Sequence, residues 1–582
     1  MTDRARTSTA ARRDRALIAV ILVAVLVPFV IADIRIVLIK GGYATVGDIS
    51  NIELRVRDVL TRHTPLVGPY SRYGWNHPGP ALYYVLAIPY WLSGRHSSGL
   101  AIGALAVNAA ACVGVVLLAR RRAGIALAAA AGLVMLVFVH AFGFAAAASS
   151  WNPTLPVIPL VLFCMLAWSV AVGDSALLAC MIFVGSFVAQ SHIGLVFVVV
   201  AVGGYAGIAF AIRHRRGTAR VTRRQAIAAI AVAAAMWFAP LLDAALHQGG
   251  NVRALFDYFT QSHAHIGMSE AWRIVAGELS TNAQWLRGYA DNIFTGEPTS
   301  VLHARLPSVA ALVVVAVVLM YALRRRNASR DALLLAVVAL VASLFAVASI
   351  EGVAYDYLST WVSAVAVFAV VALAAALLMS VPLAPRLLAA IATVCVVAVV
   401  VASAYDVHES LTFPDPSDAG SHLVARAAHD LTKMTILRGR TVIVDSAPDL
   451  GSAEASSGLM LRLARAGIKV GVPAGAGYVY GRQRIDTDPD AALLLGVSVV
   501  SLTTQVPHPR RGMRLLLRET EVSPARQLRY ERFLTEVQKL AKQNRYAEIR
   551  RLTPVPPGGS ILTIWEVTDH RLPAQGALRA RS

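Results

Sequence analysis

GPYSRYGWNHPGPALYYVLAIPYWLSG occupies residues 68–94. It opens polar and aromatic, sets His77 between Asn76 and Pro78, and turns apolar over 79–93. That apolar run is shorter than the ~20 residues a membrane-crossing helix needs. Whether it crosses decides the topology of the whole chain, because every later segment inverts if it does.

The composition makes this a membrane question. Of 582 residues, 57% are hydrophobic and 15% charged, against about 25% charged in soluble domains. Apolar runs long enough to span lie near 17–38, 98–118, 124–142, 154–172, 175–191, 193–212, 225–244, 306–323, 331–350, 358–380 and 385–403. The net charge of +20 is concentrated beside them, at Arg4–Arg15, Arg120–Arg122, Arg213–Arg224 and Arg324–Arg330. Basic loops next to spans are retained on the cytoplasmic side. All four clusters fall on one side only if 79–93 does not cross. The reading is therefore an α-helical polytopic protein of eleven spans, with a cytoplasmic basic N-terminus (1–15), a membrane domain (16–403) and an extracytoplasmic C-terminal domain (404–582). Charge placed this way argues against nucleic acid as a partner, and the localisation expected is a bacterial plasma membrane. Ala16–Ala32 continues into "PFVIADIRIVLIK" with no small-residue cleavage site, so it reads as a retained first span. Cys112, Cys164, Cys180 and Cys395 all sit in apolar runs, and no disulfide framework is expected.

External elements are expected at 48–93 and 245–304, with a short connection at 350–357. In "GDISNIELRVRDVLTRH", Ile49, Ile52, Val56, Val59 and Leu60 recur at helical spacing, which predicts an amphipathic helix lying on the membrane surface with Asp48 at its start. Glu53 and Arg57 are spaced for an i,i+4 pair. The C-terminal domain alternates strand patterns (441–446, 468–472, 497–502, 560–567) with helical ones (417–432, 452–466, 523–544), which predicts an α/β layer.

In this order of elements the sequence resembles the GT-C superfamily of integral-membrane glycosyltransferases, in particular its protein O-mannosyltransferase and aminoarabinose-transferase branch. Asp48 stands where that family has its first catalytic acid, and Arg57-Asp58-Val59-Leu60 resembles the Arg-Glu-Met-Leu that follows. His77-Pro78-Gly79-Pro80 with Tyr83 and Tyr84 looks like its Lys-Pro-Pro-aromatic stretch. Trp151-Asn152-Pro153 looks like its Leu-Asp-Pro, and Ser191-His192-Ile193-Gly194 falls at its Lys-Gly-Pro turn. The resemblance covers roughly 15–245, with histidines at both lysine positions and Asn152 for an acid.

It implies a GT-C fold and inverting transfer of a sugar from a polyprenyl-phosphate donor to an extracytoplasmic glycan, lipoglycan or protein. An acceptor hydroxyl is a weak nucleophile and needs a carboxylate to take its proton. Asp48 suits that role as well as that of a helix N-cap, and Asp33 is its rival. The leaving phosphate gains charge and needs donors aimed at it, for which His77, His192 and Arg72 are the candidates. Glu53, Asn76, Tyr73, Trp75, Tyr83 and Asn152 are candidate substrate-binding residues, with the aromatics equally suited to interfacial anchoring.

No cofactor is implied, and His263-x-His265 lacks the further ligands of a metal site. Gly475, Gly477 and Gly481 read as a turn. The Ala, Val and Arg content suggests a GC-rich organism and hence arabinose or mannose as the sugar. Two other readings remain: a lipid-linked sugar or polymer transporter, and an inactive membrane scaffold.

Overall fold

A computed structural model describes residues 2–39, 42–261, 263–280, 283–289, 316–413 (except 318, 321–322 and 325–327), 419–447, 449–486, 492–501, 512–520 and 524–568 (except 544, 546–547 and 549–559). They form two compact units, one of residues 1–41 and 65–414 and one of residues 42–64 and 415–582.

The first unit is a helical bundle, and the chain is a multi-pass membrane protein. Among the described residues seven helices are long and apolar enough to cross a membrane: Arg12–Val37, Ser98–Phe142, Ile193–Arg215, Arg223–Leu246, Ser329–Ala348, Asp356–Ser380 and Arg386–Thr412. Ser98–Phe142 contains two of the expected runs. Its backbone leaves helical geometry at Ala123 and Gly124, where Gly124 has φ 76°. A Cβ on Gly132 would lie 3.6 Å from Val116, so the two halves fold back on each other about Gly124. The expected runs 154–172 and 175–191 appear as the shorter helices Val157–Ala171 and Leu178–Ser191. Most of the run 306–323 lies outside the described residues.

The stretch 79–93 forms the helix Ala81–Leu92. Twelve residues at 1.5 Å each give ~18 Å, short of a ~30 Å hydrocarbon core. Its Leu86 and Pro89 lie against Gly103 of the next helix, where a Cβ would fall 2.5 Å from Pro89 and 3.1 Å from Leu86. Small residues of this kind let membrane helices approach closely.

The bundle has two chemically distinct ends. At one, Arg121 and Arg122 pair with Asp174 at 2.7 and 2.8 Å, Arg213 pairs with Asp331 at 2.6 Å, and Ser175 donates to Gln225 at 3.1 Å. These contacts gather the basic turns of three separate helix connections. At the other end lie the connections that carry His77, Trp151, His192, Asn251 and Glu351.

The second unit is built on a five-stranded sheet of order β2-β1-β3-β5-β4, with β1 Val442–Ser446, β2 Val470–Gly471, β3 Leu493–Ser501, β4 Met513–Thr520 and β5 Ser560–Val567. β2, β1 and β3 run parallel, while β5 and β4 are antiparallel. The expected α/β domain is present. β3 starts four residues before the expected 497, and β4 answers to no expected strand. Leu450–Arg465 makes the β1-to-β2 crossover, and its Leu459 and Leu463 share a core with Val442, Leu495 and Ile564.

The helix Gly47–Asp58 belongs to this unit, and Leu54 is part of the same core. The sequence pattern predicted a surface helix with one apolar stripe. Instead Asn51, Glu53 and Asp58 are buried along with Ile52 and Val56. Glu53, wholly buried, pairs with Arg465. Asp58 accepts two hydrogen bonds from Arg484, at 2.7 and 2.8 Å, and one from Gln483 at 2.7 Å. Acid side chains that read as a wet face are satisfied by basic groups more than 400 residues away.

Candidate functional site

The end of the first unit opposite the Arg pairs brings five connections together, the fifth being the turn before Val157–Ala171 that carries Trp151 and Asn152. The first is the turn 68–80, a tight hairpin in which Gly68 N–H donates to His77 O at 3.0 Å and Ser71 N–H to Trp75 O at 2.7 Å. Glycine is needed within it, because a Cβ on Gly79 would lie 2.2 Å from Gln190 Oε1. The same Gln190 oxygen accepts from Ala81 N–H at 3.2 Å, satisfying an amide that the start of the Ala81–Leu92 helix leaves open. The second connection clamps the hairpin. Asn251 Oδ1 accepts from Asn76 N–H at 2.8 Å, and its Nδ2 donates to Asn76 O at 2.7 Å. Asn251 is itself held through its N–H by Asp243 at 2.8 Å.

This framework aims His77 at the third connection, the turn after Leu178–Ser191. Ile193 N–H donates to His77 Nδ1 at 3.0 Å, and Gly194 N–H donates to His192 Nδ1 at 3.2 Å. The two imidazoles stack at 4.9 Å. A nitrogen that accepts from an amide carries no proton, so each ring is the Nε2–H tautomer with Nε2–H as its donor. Burial, and then the neighbouring His192, push His77 well below its usual pKa, while burial pushes His192 down to about 4. Both rings are therefore neutral donors at pH 7. Trp75 stands edge-on to His77 at 5.5 Å, and its indole N–H is buried with no hydrogen-bond partner among the described residues.

The depressed histidines carry a stability cost in acid. Unfolded chains protonate His near 6.5, whereas native His192 resists down to about 4. Stability is thus fully present above pH 6.5 and falls as the pH drops from 6.5 towards 4. We expect the thermal midpoint of the detergent-solubilised protein to fall across that window, and to fall less in His192→Asn.

The fourth connection, 350–357, closes an aromatic wall. Tyr73 donates to Glu351 O at 2.8 Å, and Arg72 donates to the Tyr73 hydroxyl at 2.6 Å. Arg72 lies over the rings of Tyr73 and Tyr355, at 4.8 and 5.1 Å. Tyr258 packs against Tyr73 and Trp75 at 5.2 and 5.6 Å and hydrogen-bonds Glu351. His263 Nδ1 reaches the same carboxylate at 3.4 Å. Trp151 packs on Tyr357 at 5.0 Å, and Asn152 donates to Ser191 O at 3.4 Å. Tyr83 is buried in the helix below.

Of the residues singled out in the sequence, His77, His192, Arg72, Tyr73, Trp75, Asn76 and Asn152 fall on these connections. Glu351, Tyr258 and Asn251 were missed, since a lone acid, tyrosine or asparagine in a loop carries no motif. Glu278, in the same long loop, is pushed up to about 8 by burial.

Asp48 and Glu53 belong to the second unit. Glu53 is spent on its ion pair with Arg465, and a wholly buried, paired carboxylate is unsuited to substrate binding. Asp48 lies in the first turn of Gly47–Asp58, but the capping position is Val46, with no side-chain cap. That removes the N-cap reading of Asp48. Its charge is felt at the Tyr480 hydroxyl, which pairs with Ser457 at 3.1 Å. Asp445, at the C-terminal end of β1, acts on the same hydroxyl.

No protein-family profile matches the sequence, and no curated protein does. Solved structures do match. The ArnT structure from Cupriavidus metallidurans bound to undecaprenyl phosphate superposes with a TM-score of 0.51 at 12% identity, over 82% of this chain and 92% of that one. The same protein in its apo state gives 0.47 at 13% identity, over the same shares. An Archaeoglobus fulgidus oligosaccharyltransferase gives 0.38 at 11% identity, over 84% of this chain and 69% of that one.

Proposed function

From the GT-C fold of this chain, we propose that it transfers a sugar from a polyprenyl-phosphate donor to an extracytoplasmic acceptor. The observation that carries the reading is the trio of ring N–H donors on Trp75, His77 and His192, buried together behind an aromatic wall. Of the three, the Trp75 N–H has no acceptor among the described residues, and a buried donor in that state calls for a ligand. A phosphate oxygen supplies the missing acceptor, and the aromatic faces of Tyr73 and Tyr258 suit a sugar ring. The ArnT structure that this chain matches holds undecaprenyl phosphate, which supports the same class of donor.

The chemistry follows from these groups. The acceptor oxygen attacks the anomeric carbon while the bond from that carbon to the phosphate oxygen breaks, inverting the centre. Polyprenyl phosphate leaves with the bonding electrons, and the N–H donors meet its growing charge. The acceptor proton passes to a carboxylate, for which Asp48 is the choice that the resemblance supports. Arabinose or mannose is the sugar class we favour. The direct test is transfer of labelled sugar from polyprenyl phosphate by the purified chain. Absence of transfer with any such donor sinks the reading, and lipid movement without transfer favours a transporter.

The same reading places the Arg-rich end in the cytoplasm, with eleven spans and the second unit outside. In a cysteine-free background, single cysteines at Arg121 and Arg216 should label only from inside and one at Gly475 only from outside. External labelling at position 121 would invert the arrangement.

A further inference from the structure

We infer that His140, Asp406 and Glu409 form a binding site for a first-row divalent metal ion, with Zn2+ or Mn2+ as the fitting class. His140 ends one long helix, and the two acids stand three residues apart on one face of Pro385–Thr412. His140 Nδ1 lies 3.1 Å from Asp406 Oδ1 and 3.0 Å from Glu409 Oε2. The three ligand atoms all fall within 4.8 Å of one another. Tetrahedral bonds of ~2.0–2.1 Å put ligand atoms roughly 3.3 Å apart, close to the two shorter separations.

The His140 ring cannot satisfy both acids. One imidazole nitrogen holds at most one proton, yet two carboxylates converge on it. The Asp406 side chain is 1% exposed, and its Oδ2 has no hydrogen-bond partner among the described residues. Glu409 Oε2 is buried in the same condition. Two neighbouring buried acids with one shared partner must either hold a proton or carry uncompensated negative charge, and a dication takes the proton's place while using the unpaired lone pairs. Glu409 Oε1 accepts from Phe144 N–H at 3.4 Å, an outer contact of the kind that orients a metal-binding carboxylate. The side chain of His140 is 55% exposed, so an ion has a way in. One nitrogen with two carboxylates suits Zn2+ or Mn2+ better than the all-oxygen shell that Mg2+ and Ca2+ prefer. Spacing could not reveal this site, because His140 and Asp406 are 266 residues apart.

The test uses the purified full chain, stripped with chelator and re-equilibrated with Zn2+ or Mn2+ alone. Bound metal is measured by elemental analysis and by the rise in thermal midpoint that native-state binding produces. We expect one ion per chain, with affinity reduced at least ~10–100-fold in Asp406→Asn and Glu409→Gln, and unchanged in His263→Ala. A second signature separates this from a merely structural cluster. Without metal, Asp406→Asn should unfold at a higher temperature than the parent, because it removes unpaired buried charge. If that variant does not fold, His140→Ala, altered at a half-exposed position, carries the binding test. No stoichiometric binding by the parent chain, or equal binding by parent and variants, overturns the site.

Discussion

His77→Asn should lower kcat by about 10²–10³-fold and leave the fold intact, the loss typical of removing one donor aimed at developing charge. Asparagine is chosen because its short amide reaches roughly where Nδ1 sits. It can keep accepting from Ile193 N–H, which His77 does at 3.0 Å, while the Nε2–H donor is gone. His77→Gln makes the opposite exchange, placing its amide near Nε2 and leaving Ile193 N–H buried without its acceptor. It should retain more activity and lose more stability, about 1–3 kcal/mol for an unsatisfied buried group. His192→Asn should behave like His77→Asn, since Gly194 N–H uses His192 Nδ1 in the same way. A donor that strengthens only as charge develops acts on kcat more than on KM, and that split is the readout. Unchanged kcat in both asparagine variants would move the phosphate away from the histidines, towards Arg72.

Some of this architecture could be read from the sequence because the physics involved is local. The helix 81–92 is too short to cross whatever it packs on, and clustered arginines beside apolar runs imply a common side. The gathering of Arg121, Arg122 and Arg213 at one end of the bundle agrees with that logic. The helix at 47–58 shows where such reading stops. Its periodicity identifies a polar face but cannot tell whether that face meets water or a distant partner, and Glu53 and Asp58 meet Arg465 and Arg484. β4 was missed because "MRLLLRET" mixes charges through the strand, the mark of an edge that needs no apolar alternation. The histidines were visible as residue types, but their neutrality follows from burial and from two amide donors, neither of which leaves a trace in spacing. Glu351 was invisible because its partners Tyr258 and His263 come from another loop.

Three acids stand for the acceptor proton, Asp48, its rival Asp33 and Glu351, and substituting the right one should cost about 10²–10⁴-fold in transfer, the span of general-base catalysis. Asp48→Asn removes proton acceptance at little structural expense. No side-chain cap is lost, since Val46 holds the capping position. The missing charge in the first helical turn is worth at most about 1 kcal/mol. Glu351→Gln is equally mild, because an amide oxygen can still accept from the Tyr258 hydroxyl that bonds Glu351. Asp33→Asn is the matched comparison, and loss there with full activity in Asp48→Asn would hand the role to Asp33. We expect Asp48→Asn to abolish most transfer with donor binding retained, and Glu351→Gln to weaken binding of the sugar while keeping kcat within about tenfold, as uniform binding losses do. A large kcat loss in Glu351→Gln with full activity in Asp48→Asn would reassign the base to the loop that carries Tyr355 and Tyr357. It would also leave the carboxylate beside Tyr480 with a role in the second unit alone. Losses below about tenfold in both variants would rule out either acid as the base.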